Sequence, residues 1–221
     1  MKNIFLTALI GCLFVSSYGQ KLARITLFAN SNSDIITIEA DQGLLINFSK
    51  EGNIISWGVE DYWGRLLKYM GRVDYYTAND DVVFRGKVRY IGLTQITYYA
   101  SYDNDALKGK IKTVGSNNFD YYPATEDEAT KGKIKSIETT PVSYYSSFDN
   151  EAFKGKFRTV GNSSLAYYAS YDDKAFKGKI KSIDNISFSY YSSFDRKEYQ
   201  GALKTGTYMH IINGIKYVVR N

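Results

Sequence analysis

One cysteine, two prolines and one histidine stand among 221 residues. The cysteine, Cys12, lies in the N-terminal apolar run, so a chain cut after Gly19 has neither thiol nor disulfide, and stability must come from packing and strand pairing. Two prolines exclude a proline-rich linker, and no composition break separates domains. His210 is the sole histidine, and Gly-x-Ser-x-Gly, His-Glu-x-x-His and Walker-type Gly-Lys-Ser/Thr motifs are all missing, which removes the common nucleophile, zinc-protease and nucleotide signatures. The one long apolar run, Ile4 to Val15, is too short to span a bilayer.

That run follows Met1-Lys2-Asn3 and precedes Ser16-Ser17-Tyr18-Gly19-Gln20, the three-part layout of a secretory signal peptide. Residues 1–19 are therefore expected to be removed, leaving a secreted, periplasmic or cell-surface protein with no transmembrane span. Leu9-Ile10-Gly11-Cys12 offers a lipoprotein cut instead, but the short spacing from Lys2 and the apolar residues beyond Cys12 favour ordinary secretion. The net charge of +5 belongs partly to the leader. In that compartment it points to acidic polysaccharide or another envelope protein as partner, not nucleic acid.

What the chain has in abundance is tyrosine, arranged in a period. Tyr75-Tyr76, Tyr98-Tyr99, Tyr121-Tyr122, Tyr144-Tyr145, Tyr167-Tyr168 and Tyr190-Tyr191 recur every 23 residues, each followed ten residues later by a glycine, Gly86 to Gly201. A fixed period of this length marks a repeat architecture. Thr113-Val114-Gly115 returns at Thr159-Val160-Gly161, and Ser136-Ile137 at Ser182-Ile183, so a doubled unit of 46 residues was copied.

Within a unit, Ile96, Tyr98, Ala100 and Tyr102 alternate with Thr97, Tyr99, Ser101 and Asp103; Leu107, Gly109, Ile111 and Thr113 alternate with Lys108, Lys110 and Lys112. Both are strand patterns. Folding them about residues 103–106 pairs Tyr98 with Ile111, Ala100 with Gly109, Tyr102 with Leu107 and Ile96 with Thr113, so that apolar and small residues meet on one face and Tyr99 meets Lys110 on the other. Short loops such as Val114 to Asn118 need a residue at positive φ. The fold class is all-β: an antiparallel hairpin meander of 23-residue units, as a curled or extended sheet with hairpin caps. Residues 20–51 form an N-terminal β cap, 52–206 the hairpin array (worn copies at 52–72, regular units at 73–206), and 207–221 a C-terminal hairpin about Asn213-Gly214.

The aromatic-aspartate followed by glycine-basic-aliphatic residues resembles the Tyr-Asp (YD, or RHS) repeats of secreted bacterial proteins across residues 59–205, most closely at Asp61-Tyr62-Trp63-Gly64-Arg65-Leu66. The regular units carry three extra residues between aspartate and glycine. The period and the Gly-Lys-Ile-Lys strands also resemble MORN-type repeats. Either resemblance implies a string of β-hairpins and supplies no catalytic residues.

The candidate ligand-binding residues are Tyr76, Tyr99, Tyr122, Tyr145, Tyr168 and Tyr191, with Lys110, Lys133, Lys156 and Lys179 beside them on the outward face. Flat phenol rings suit sugars and lysines suit carboxylates or sulfates. The competing reading is structural: tyrosine favours strands, and lysine on a solvated face resists aggregation. The acids of Asp103-Asn104-Asp105 and its equivalents serve turns and neutralise lysines more readily than they bind calcium. Glu60 and Asp61, beside Trp57 and Trp63, are the one non-repeated acid and aromatic cluster that a glycosidase could use. The reading favoured is non-enzymatic, with no metal and no cofactor: a protein that binds an extracellular polymer, or else a structural or assembly module.

Overall fold

The computed structural model describes residues 21–28 and 33–220. The expected leader and Cys12 lie outside them. The seven-stranded sheet is built from both ends of the chain: β1 (Lys21–Phe28), β2 (Ile35–Glu39), β3 (Leu44–Phe48), β4 (Ile54–Glu60) and β5 (Leu66–Lys68) form a meander. The repeat sheet follows with β6 (Val73–Tyr75), β7 (Val88–Ile91), β8 (Thr94–Tyr98), β9 (Ile111–Val114), β10 (Asn117–Tyr121) and β11 (Ile134–Ile137). It continues through β12 (Thr140–Tyr144), β13 (Phe157–Val160), β14 (Ser163–Tyr167), β15 (Ile180–Ile183) and β16 (Ile186–Ser187). These 11 strands pair strictly in sequence order and the sheet stays open; β17 (Ser189–Tyr190) and β18 (Leu203–Thr205) form a last hairpin. The chain then returns through β19 (Met209–Ile212) and β20 (Ile215–Arg220), and β20 lies parallel against β1.

The expected caps therefore do not sit at opposite ends. They merge through the β1–β20 pair into one sheet laid over a face of the array, and the worn copies at 52–72 supply β4 and β5 of that cover. A sheet of many strands with an apolar face has to hide that face. Here Ile25, Ile36, Ile38, Ile46, Phe48 and Tyr217 of the cover share one core with Ile91, Ile96, Val114, Phe119, Phe157, Val160 and Ile183 of the repeats. Phe48 and Phe119 meet across the interface at 5.5 Å. Each such aliphatic side chain, fully buried, contributes roughly 1.5–3 kcal/mol.

The pairing of Tyr98 with Ile111 is as the alternation predicts, and Tyr190 meets Leu203 likewise. On either side the regular ladder gives way. Gly109 takes φ +72°, its N–H donates to the Tyr99 carbonyl, and the Tyr99 N–H donates to Lys110, so two residues oppose one in a bulge with glycine in its left-handed place. A second irregularity between Thr97 and Tyr98 leaves Lys112 unmatched and shifts Ile96 onto Val114 instead of Thr113. Residues 100–110 form successive turns, not strand ends, so the pairs expected between Tyr102 and Leu107 and between Ala100 and Gly109 do not form. The glycine column is thus a bulge position, not a trough in the inner face.

At the opposite end of the units two-residue turns link the strands, with positive φ at Gly115 as the loop composition predicts. Glu138 and Asp184 hold the same conformation, at φ 51° and 47°, without glycine's freedom. Each has a hydrogen bond to offset the strain: Glu138 accepts from the Asn118 N–H at 2.9 Å, and Asp184 from Ser164 at 2.7 Å, both in the preceding unit.

Candidate ligand-binding face

Three of the Tyr-Tyr pairs bond in two directions, whereas Tyr75 is half exposed and the buried Tyr167 and Tyr190 hydroxyls have no partner among the described residues. The first tyrosine points into the core and reaches back: Tyr98, Tyr121 and Tyr144 donate to the carbonyls of Val88, Ile111 and Ile134, each at 2.9 Å. The second is half-buried, its ring edge-on to the inner tyrosine of the following unit, and reaches forward. Tyr76, Tyr99, Tyr122, Tyr145 and Tyr168 donate to Ile96, Phe119, Val142, Leu165 and Phe188 in the following unit, at 2.8–3.1 Å. Tyr191, in the last unit, packs against Tyr199 instead. Burial raises the pKa of the Tyr76, Tyr99, Tyr122, Tyr145 and Tyr168 phenols and pushes those of Tyr98, Tyr121 and Tyr144 further, so these hydroxyls remain donors.

The lysines expected beside them are elsewhere. Lys87, Lys110, Lys133, Lys156 and Lys179 each send the ammonium to the bulge-glycine carbonyl of the next unit, Gly109 through Gly201, at 2.6–2.8 Å for the last four. Each also lies over the inner tyrosine of that unit, 4.8 to 5.4 Å from the ring centre. Lys156 and Lys179 are only 5% exposed, a correction to the outward placement. The cause is the left-handed bulge glycine: it breaks the period-two alternation, so that the two residues after it both turn inward, Lys156 with Phe157 and Lys179 with Ile180, while Arg158 and Lys181 turn outward. Ala202 occupies this column in the last unit, where no further carbonyl awaits.

The cover sheet closes over this lysine column at one place. Lys50 pairs with Asp34 at 3.3 Å, both almost fully buried, and donates to the Gly155 carbonyl at 3.2 Å, the same oxygen that Lys133 reaches at 2.8 Å. Burial, aided by the neighbouring Lys50 charge, lowers the Lys133 ammonium to about 8.

The cations that do face solvent form a different column. Lys112, Lys135, Arg158, Lys181 and Lys204, with half-buried Arg89 at the head of the row, lie over Tyr99, Tyr122, Tyr145, Tyr168, Tyr191 and Tyr76 respectively, 5.4 to 5.9 Å from the ring centres. None makes a salt bridge among the described residues. Two strands per unit set their spacing at about 10 Å. On the same face runs a hydroxyl ladder, with Thr97 on Thr113 and Ser143 on Thr159, each 2.7 Å apart.

A further column escaped the sequence reading. Tyr102, Phe148, Tyr171 and Phe194, expected to point inward, stand at the loop tips and are 86–96% exposed. Each tip is a turn capped by its own aspartate, as where Asp103 accepts from the Ala100 N–H at 2.6 Å. The loops are then laced to one another: Asp81 accepts from Ser101, Asp127 from Ser147, Asn150 from Ser170 and Asp173 from Ser193, at 2.8–3.0 Å for the backbone donors. Of the loop acids that could have served calcium, Asp127 joins this lacing, Asp103 and Asp149 cap their own turns, and Asp105 and Glu128 pair with Lys108 and Lys131.

Glu60 lies in a concavity of about 510 Å³ on the outer face of the cover sheet, where it accepts from Arg24 at 3.1 Å and Lys216 at 3.5 Å. Asp61 is turned into its own hairpin, and the Arg65 backbone N–H, seconded by the Arg65 side chain and the Trp63 N–H, holds its carboxyl below the ordinary range. Comparison with known proteins returns no matching family model, no matching curated protein and no matching solved structure.

Proposed function

We propose that this chain is a secreted, non-enzymatic binding protein whose repeat sheet holds a linear anionic polymer, of the acidic-polysaccharide type, along its open face. The observation that carries this reading is the file of cations from Arg89 to Lys204, each over a tyrosine ring and, among the described residues, none in a salt bridge. A cation held over an aromatic face loses little side-chain freedom on binding, and a regular row favours a ligand whose charges also recur. Lys110, Lys133, Lys156 and Lys179 leave the site, since their ammoniums are committed within the fold. The tyrosines from Tyr76 to Tyr191 remain as the platform beneath the cations.

Retention on immobilised polygalacturonate and on a sulfated glycan, across a salt series, tests the reading. The wild-type chain should be retained at low salt and released as salt rises, and Lys112→Gln/Lys135→Gln/Lys181→Gln should elute much earlier while unfolding at the same temperature. No retention on any anionic polymer overturns it. A structural or assembly role is the second reading, favoured by the use of every forward-reaching phenol and inner ammonium to join units; it predicts folded variants unchanged in polymer retention.

A further inference from the structure

We infer that the loop edge of the array is a second binding site, one that stacks the rings of a neutral polysaccharide on Tyr102, Phe148, Tyr171 and Phe194. Nothing in the fold asks for an aromatic side chain at these places. Asn79 and Thr125 fill the equivalent positions of the other two units, and the turn is built by the flanking backbone and the capping aspartate. A large apolar ring left almost wholly in water, repeated in four units, has no packing role to account for it.

The occupant follows from the chemistry around the rings. The charges of this edge are mixed in sign: Asp105 pairs with Lys108 at 2.5 Å and Glu128 with Lys131 at 2.6 Å, and the exposed Lys154, Lys174, Lys177, Arg196 and Lys197 are interspersed with Glu126, Glu151, Glu198 and the turn-capping aspartates. An anionic polymer or an anionic lipid surface finds no uninterrupted row of positive charge here, in contrast to the open face. A sugar ring suits it: its C–H face is apolar and meets the electron-rich face of an aromatic ring, while its hydroxyls can bond to the serines and carboxamides of the loops. Loop-to-loop hydrogen bonds fix the rings before binding, and the spacing of about 10 Å between units makes the ligand a chain of sugars, since a single residue could meet only one ring.

The test uses neutral polymers at high salt, where attraction to the cation row is screened, so its outcome is separate from that of the anionic-polymer reading. The full mature chain is passed over microcrystalline cellulose and chitin and run in affinity gels containing mixed-linkage glucan or galactomannan. At least one should retain it with little dependence on salt. Tyr171→Ala/Phe194→Ala should weaken that retention roughly tenfold or more, Phe194→Tyr should preserve it, and Thr125→Tyr, which fills the gap between Tyr102 and Phe148, should strengthen it several-fold. All four residues are exposed, so folding is expected to survive and is checked by thermal unfolding. The inference is overturned if no neutral polysaccharide is retained, if the double alanine variant binds as the wild type does, or if the rings instead drive self-association in the absence of sugar.

Discussion

In the cover sheet the core is mainly aliphatic, with Phe48 and Tyr217 among it, and the one buried ion pair among the described residues, Asp34 with Lys50, is an isolated event. In the repeat sheet the inner units each bring polar groups to the margin of the core: two phenols and an ammonium, most of them delivered to a backbone carbonyl of an adjacent unit. The difference shows two ways of holding a sheet. The cover relies on side-chain packing shared among many residues, whereas the array relies on a short set of bonds repeated at each junction, so its stability is nearly a sum over junctions.

The largest effect should come from the one place where the two schemes meet. Lys50→Ala or Asp34→Ala leaves an uncompensated charge between the sheets and should cost about 3–5 kcal/mol in chemical denaturation, while replacing both with Lys50→Met/Asp34→Leu should recover much of that loss. If the single changes are mild, the cover is not locked to the array there. Within the array, Tyr144→Phe removes a buried phenol–carbonyl bond and should cost about 1 kcal/mol, whereas Tyr167→Phe should cost nearly nothing, because the Tyr167 hydroxyl is buried with no protein partner. Equal losses would show that the junctions are not made by these bonds.

Alkaline pH separates the lysine and tyrosine columns. Burial lowers Lys133 to about 8 in the folded protein, against an ordinary lysine value of 10.5 in the unfolded chain, so between these values the unfolded chain binds more protons and stability rises with pH. Because the side chain is partly solvated, the gain is on the order of 1 kcal/mol. Above pH ~10 the sign reverses, since the raised phenols of Tyr144 and Tyr167 keep their protons when folded and lose them when unfolded. Denaturation midpoints across this range should pass through a maximum, and Lys133→Met should flatten the rising limb without abolishing it, since burial also lowers Lys87, Lys110, Lys156 and Lys179. The smallest effect belongs to the turns: Glu138→Gly relieves a left-handed backbone but loses the bond to Asn118, and the two should cancel within about 0.5 kcal/mol. Thermal unfolding of that single variant checks it.

Much of this arrangement was legible in the chain. The 23-residue period, the hairpin unit, the Tyr98–Ile111 register, the burial of the first tyrosine in the pairs from Tyr98 to Tyr190 and the Asn213-Gly214 turn all follow from alternation and turn chemistry. The inner lysines were misplaced because alternation assumes an unbroken ladder, and one left-handed glycine reverses which face the next residue sees. The sign of it was an invariant glycine immediately before Lys110 and its equivalents, read as a small core residue instead of a bulge. The loop aromatics also had a signature: Asn79 and Thr125 stand in the same column, and a core position would not accept them. The merger of the two caps had no sequence signal, because β1 and β20 meet across nearly the whole length of the chain.

That meeting also fixes how long the array can be. An open string of hairpins can gain or lose whole units by copying, as the 46-residue rhythm records. Here the chain that leaves the cover at β5 must come back at β20 to lie beside β1, with Ile25 against Tyr217 and Leu27 against Val219. One unit more or fewer would displace the returning strand by about 10 Å, twice the distance between neighbouring strands. The cover is thus a ruler, and the repeat number is the length it measures.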